Sequence, residues 1–260
     1  MIGQKRVRAA VAALGHAAVV VWVGITYAHA SNEIAPAEKL LFMTTHMTGV
    51  GPQTELDYAL ALSGPKQKQN DTVRVLVVSD GNAKSDAHVT DHSGNVDVPD
   101  TGLPCNPVIL YFLEHDIAEM EQLTGGQRRY FQRRVRLALA ANPPIAHVTM
   151  KADGKEIKAQ KIVIQPFLGD PNGERFAQYV GKRYTFVIAD QDVPGRVMQI
   201  RTEVPGAGND FAHPLQTETL TFSGSMHTLT PPPGAPGKGA KPGPNSPMAP
   251  VKAVRPATSP

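Results

Sequence analysis

The 260-residue chain has a single cysteine, Cys105. An internal disulfide is therefore excluded, and the hydrophobic core must carry the stability of whatever folds here. Pro104 on one side and Asn106-Pro107 on the other suggest a turn, and no histidine lies near the thiol in sequence. It reads as a partly buried, inert side chain rather than a nucleophile. Also lacking are a Gly-x-Ser-x-Gly elbow, a His-Glu-x-x-His run and a Gly-x-x-x-x-Gly-Lys loop. The common serine-hydrolase, zinc-protease and P-loop arrangements thus have no sequence support. Ser225 stands two residues before His227 without a visible orienting group, and the glycines of "PGAGND" fall between strand signals rather than between a strand and a helix.

The first thirty residues contain no acid and the last thirty contain neither acids nor aromatics. Lys5, Arg6 and Arg8 precede an uncharged run from Ala9 to Tyr27 that ends in Ala28-His29-Ala30 before Ser31. A basic end, an apolar run and small residues predict a signal peptide over 1–30, cut between Ala30 and Ser31. No membrane span then remains in the mature chain; an uncleaved anchor is the other reading. No cysteine follows the run, which leaves N-terminal lipidation without support. The stretch 231–260 holds ten prolines and reads as a disordered Pro/Gly-rich tail. Setting aside three basic residues before Ser31 and four after residue 230 leaves 19 basic against 23 acidic residues in 31–230. The basic surplus therefore lies outside the folded part, which argues against a nucleic-acid partner.

Residues 31–230 fit a single domain. Period-two alternation marks "TELDYALALSG" (54–64), through Leu56, Tyr58, Leu60 and Leu62, and "TVRVLVVSD" (72–80), through Val73, Val75 and Val77. "LLFMTTHMTGV" (40–50) is expected as a strand, as is "KSDAHVTDH" beyond a turn at Asp80-Gly81-Asn82. The period then lengthens. Asn106-Pro107 resembles a helix start, and Ile109, Phe112, Leu113, Asp116-Ile117, Met120 and Leu123 recur at three and four. A continuous helix is preferred to a strand over 108–113 followed by a later helix start. Gly125-Gly126 ends it, and a second helix runs to about Ala141, giving a helical pair over about 107–141. A hairpin about Asp153-Gly154 follows, then strands over 183–190, 195–204 and 218–225. Connections this short between strands rule out parallel crossovers, so the fold class is α+β. The expected architecture is a curved, mainly antiparallel sheet, an open half-barrel, carrying an inserted two-helix hairpin.

The second helix packs five arginines into 128–136. On a helical wheel Arg129, Arg133 and Arg136 share a face opposite Phe131, Val135, Ala138 and Leu139, and read as a solvated stripe. Arg134 instead falls between Tyr130 and Leu137 on one flank and Phe131 and Ala138 on the other, so it points toward the core. Either it pairs with a carboxylate of the first helix (Glu114, Asp116, Glu119 or Glu121) or snorkels to an edge, or with Tyr130 it forms a ligand clamp for an anionic headgroup or carboxylate. A basic amphipathic helix lying in an anionic membrane interface is a third reading, opposed by the neighbouring acidic helix. His88, His92 and Asp97 supply imidazole and carboxylate for a metal, but at a spacing better suited to a hydrophilic loop. No cofactor is implied.

The phrases "NPVILYFLEHDIAEMEQLTGG" and "YTFVIADQDVPGRVMQIRTEV" resemble an uncharacterised exported bacterial family. The order of signal, strands, helical pair and closing strands over about 37–225 is similar to the half-barrels of the lipoprotein-carrier (LolA-like) type. That resemblance implies a concave apolar face plugged by helices and able to bind an acyl chain or a polypeptide. It transfers no functional residue, and the proline-rich tail departs from the type. The function expected is that of an exported, periplasmic or secreted bacterial protein, non-enzymatic, binding an apolar or amphiphilic ligand or an envelope protein. The alternative is a secreted hydrolase or metal-dependent enzyme.

Overall fold

The computed structural model describes residues 33–227 apart from 65–67, 82–83, 100 and 153. The expected signal over 1–30 with its cut between Ala30 and Ser31, the stretch 231–260 expected to be a tail, and the tip of the Asp80–Asn82 turn therefore lie outside the described residues, as does Asp153 of the second hairpin.

Nine antiparallel strands form one open sheet in the order β4-β3-β2-β1-β9-β8-β7-β6-β5. The first meander comprises β1 (Thr54–Ser63), β2 (Lys68–Gly81), β3 (Lys84–Asp91) and the two-residue β4 (Gly94–Asn95). The second comprises β5 (Ile145–Ala152), β6 (Lys155–Ile164), β7 (Arg183–Ala189), β8 (Val197–Val204) and β9 (Gln216–His227). Pairing of β1 with β9 joins the two meanders, Leu60 standing opposite Leu220 and Leu62 opposite Glu218. This order leaves β4 and β5 at opposite edges, so the chain between them must cross the whole sheet. It crosses as α2 (Val108–Thr124) and α3 (Arg128–Ala140).

Period-two alternation produces the strands as expected. Leu56, Tyr58 and Leu60 of β1, and Val73, Val75 and Val77 of β2, are buried on one face. That face carries α2 and α3, and the space between is filled with side chains. Phe131 of α3 meets Phe167 and Phe176 edge to face at 5.7 Å each, and Phe167 meets Tyr184 of β7 at 6.4 Å. Behind the sheet, Ile157, Ala159, Val187, Ala189 and Met198 form a smaller cluster.

The segment 40–50 is not a strand. Residues Pro36–Phe42 form a short helix, α1, followed by turns. Pro36 occupies the first turn, where its missing N–H costs nothing, and Ala37, Leu40 and Leu41 are buried. The consecutive apolar residues 40–43 never alternated, and a helix with one buried stripe accommodates them better than a pleat. Thr44 and Thr48 then turn the chain by bonding their hydroxyls to the carbonyls of Lys39 and Thr45.

The helix start proceeds from Asn106, whose side-chain oxygen accepts the N–H of Val108 at 3.1 Å. Its amide donates to the Tyr58 hydroxyl at 2.8 Å and the Gly195 carbonyl at 3.0 Å. One buried asparagine thus fixes α2 to β1 and to the β7–β8 turn. Close approach there requires glycine: a Cβ on Gly195 would lie 2.6 Å from the Asn106 amide nitrogen, and its φ is +71°. Gly125, at φ 65°, closes α2 with a left-handed cap.

Candidate binding sites

Alternation places some acids on the same inward face as the core. Asp71 continues Val73, Val75 and Val77 of β2; Asp91 continues Ala87 and Val89 of β3; Glu218 precedes Leu220 on β9. Together with inward residues of α2 they form a polar seam between helix and sheet.

At the deep end Asp116 of α2 and Lys182, just before β7, are both fully buried. The Lys182 ammonium donates to one Asp116 oxygen, and the Tyr184 hydroxyl donates to the other at 2.6 Å. Burial alone would lower the Lys182 pKa, and the Asp116 charge outweighs it, so the ammonium is held above its ordinary range. Lys182 also sits 5.7 Å from the Tyr184 ring centre and 6.0 Å from that of Tyr179. The carboxylates of Asp116, Glu119 and Glu218 converge within 4.8 Å. Glu119 accepts from the Gln216 amide at 3.2 Å. Burial pushes its carboxyl up against the opposing pull of Lys182, and Glu218 and Asp116 push it further. Glu218 bonds one oxygen to His115 Nδ1 at 3.0 Å, raising the imidazole pKa against the effect of burial. Its other oxygen, Oε2, has no hydrogen-bond partner among the described residues.

Toward the surface the His115 ring stacks on Tyr111 at 5.9 Å, and the Tyr111 hydroxyl donates to Asp91 at 3.0 Å. His92 Nδ1 contacts Asp71 at 2.5 Å; this carboxylate raises the imidazole pKa. A cavity of about 50 Å³ lies here, lined by Asp71, Asp91, His92, Tyr111, His115 and Glu218 over a floor of Leu60 and Leu62.

On the outer side of the helices, α1, α2 and α3 enclose a groove of about 500 Å³. Phe42, Leu110, Leu113, Ile117, Val135 and Leu139 are its apolar lining, and Glu38, Glu114, Gln132 and Arg136 its rim. Glu114 is engaged by Arg128 at 2.7 Å and by Gln132 at 2.9 Å. Arg136 makes no ion pair among the described residues and is exposed.

Arg134 finds its partner outside α2. Its Nε lies 2.8 Å from Asp170, whose side chain is fully buried in the loop after β6, and 3.1 Å from the Pro166 carbonyl. Tyr130 donates to the same Asp170 and accepts from Asn172 at 3.0 Å. The two residues thus fasten the 166–172 loop onto α3, and the ion pair between α2 and α3 belongs to Arg128. Arg129, Arg133 and Arg136 face solvent. Of the three metal candidates, His92 is the one that joins a group of converging ligands among the described residues, with Asp71 and Asp91. His88 is exposed on β3 opposite Leu76, and Asp97 is exposed beyond β4. Cys105 is buried, which raises its thiol to about 11 and keeps it protonated at neutral pH. Ser225 and His227 are both exposed on β9.

Among the described residues no helix is long and apolar enough to cross a membrane. No protein-family profile and no curated protein matches the chain. Among solved structures it is similar to the lipoprotein LppX of Mycobacterium tuberculosis, with 13% identity and a TM-score of 0.25 over 68% of this chain and 87% of that one. A superposition of that quality carries no argument about ligand or activity.

Proposed function

We propose that this is an exported bacterial binding protein, acting in the periplasm or outside the cell, whose ligand is a single-chain amphiphile with an anionic head. The observation that carries the reading is the groove between α1, α2 and α3: an apolar lining of six large side chains, about 500 Å³ of space, and Arg136 on the rim. Ligand sites combine mostly apolar walls with a few polar groups that fix orientation. An acyl chain on this floor would bury apolar surface worth about 25 cal/mol per Å², while Arg136 would hold a carboxylate or phosphate. The inner face of the sheet is already packed with Phe131, Phe167, Phe176 and Tyr184, which favours the outer groove over the space beneath the helices. The basic, apolar and small-residue order of residues 1–30 supports export.

Displacement of a fluorescent fatty acid, with native mass spectrometry of the purified chain, tests the proposal. Binding is expected to weaken by about tenfold in Arg136→Ala, equivalent to one charge-assisted hydrogen bond, and to be abolished by Leu110→Asp at the groove. A chain that carries no amphiphile and displaces none would refute it.

A further inference from the structure

We infer that the cavity at the outer end of the seam is a divalent-metal site of the zinc class, with Asp71, Asp91 and His92 as ligands and Glu218 as the carboxylate behind them. The inference is independent of the helix groove, which lies on the other side of α2.

Convergence is the first observation: one ligand atom from each of Asp71, Asp91 and His92 lies within 4.8 Å of the others. Ligands bonded to zinc at about 2.0–2.2 Å in a tetrahedron stand roughly 3.3–3.6 Å apart. Asp71 and His92, now 2.5 Å apart, must therefore separate by about 1 Å to admit the ion. The movement is cheap, because the His92 side chain is 65% exposed and free to swing outward, while the Asp71 carboxylate is 9% exposed and held by its strand. Asp91 is anchored as well, accepting from Ser93 at 2.6 Å through Oδ1 and from Tyr111 at 3.0 Å through Oδ2. Those partners orient the carboxylate and leave it lone pairs for a metal.

The second observation is Glu218. Its side chain is 2% exposed, it lines the same cavity, and its Oε2 has no hydrogen-bond partner among the described residues. Lys182 shares part of the Glu218 charge, but a buried carboxylate oxygen without a hydrogen-bond partner is still costly, and a cation in the cavity would supply the missing contact. Charge agrees. Asp71, Asp91 and Glu218 bring three acids to one small space, faced from α2 by Tyr111 and His115 and from the β3–β4 turn by His92. A volume of about 50 Å³ has room for an ion with water beside it, since one water needs about 10–15 Å³ of such space. One imidazole among carboxylates suits zinc, and less well manganese or ferrous iron; calcium and magnesium prefer oxygen alone.

The test uses the full chain, stripped with a chelator and titrated calorimetrically with zinc alone, then with manganese and calcium. One zinc per chain is expected. Affinity should fall at least tenfold in Asp91→Asn and His92→Gln and to a smaller extent in Glu218→Gln, while His227→Gln, at an exposed histidine on β9, leaves it unchanged. His92→Gln is the decisive variant because its exposure protects the fold, which circular dichroism verifies. Zinc uptake equal in wild type and His92→Gln would overturn the assignment, as would loss of uptake in His227→Gln. Calcium bound in preference to zinc would overturn the metal class.

Discussion

Acid should destabilise this protein through one histidine. His46 lies in the turn after α1 with none of its surface exposed. The Asn106 N–H points at its Nδ1 from 3.3 Å, and its Nε2 lies 2.9 Å from the Leu40 carbonyl. A neutral ring carrying its proton on Nε2 satisfies both contacts; an imidazolium does not, because a proton on Nδ1 would face the Asn106 N–H. Burial holds the pKa down to about 4 from 6.5, against the Leu40 carbonyl and with help from the Arg196 charge. The folded pKa is thus below the unfolded one. As pH falls the unfolded chain takes up the proton first, so stability is complete above about 6.5 and declines until about 4. Each pKa unit is worth 1.36 kcal/mol, and the full decline is therefore about 3 kcal/mol, a large share of the 5–15 kcal/mol typical of a domain. Urea unfolding of wild type and His46→Gln at several values between pH 7.5 and 4 measures it. Glutamine retains a donor for Leu40 and does not titrate, so wild type should lead at pH 7.5 and that lead should shrink by about 3 kcal/mol toward pH 4. A constant gap between the two curves would refute the reasoning.

Two further outcomes follow from the buried charges. Asp116→Leu or Lys182→Met alone leaves its partner charged and enclosed, and each should cost about 3–5 kcal/mol in urea unfolding, whereas the double variant should cost less than either; a double-variant loss equal to the sum of the singles would show that the pair is not coupled. Arg134→Leu removes the cation from buried Asp170 and should cost about 2–3 kcal/mol without changing fatty-acid binding. The reverse pattern, intact stability and lost binding, would make Arg134 the anion clamp and displace the groove from its role.

Much of the fold was legible because apolar alternation reports directly on which strand face is buried. Leu56, Tyr58 and Leu60, or Val73, Val75 and Val77, permit only one placement against a core. The helical pair was legible for the same reason at a longer period, and Gly125 marked its break. Segment 40–50 misled because it contains enough large apolar residues for a strand without the alternation that defines one. Strand order is a different kind of fact. No local pattern reveals that β1 pairs with β9 rather than standing at an edge, because that choice depends on summed contacts between segments far apart in sequence.

The polar seam shows where local reading ends and what it left unused. Asp116 was visible as a polar residue within the apolar stripe of α2, and an inward arginine on α3 made it a natural partner. Yet its cation is Lys182, 66 positions away, which no helical spacing points to. Arg134 likewise reaches Asp170, on a loop with no periodicity from which direction could be inferred. The acids on strands were in principle accessible. Asp71 stands two before Val73, Asp91 two after Val89 and Glu218 two before Leu220, so each extends an inward alternation with a charge. A carboxylate at an inward position needs a cation, a donor or a proton. Asp71 has His92, Asp91 has Tyr111 and Ser93, and Glu218 has His115 for one oxygen only. Three inward acids from three strands gathered at one end of a sheet make a stronger pointer to a ligand than two histidines spaced by four along one strand. The alternation that locates the core locates them too, once charged residues are followed along it as carefully as apolar ones.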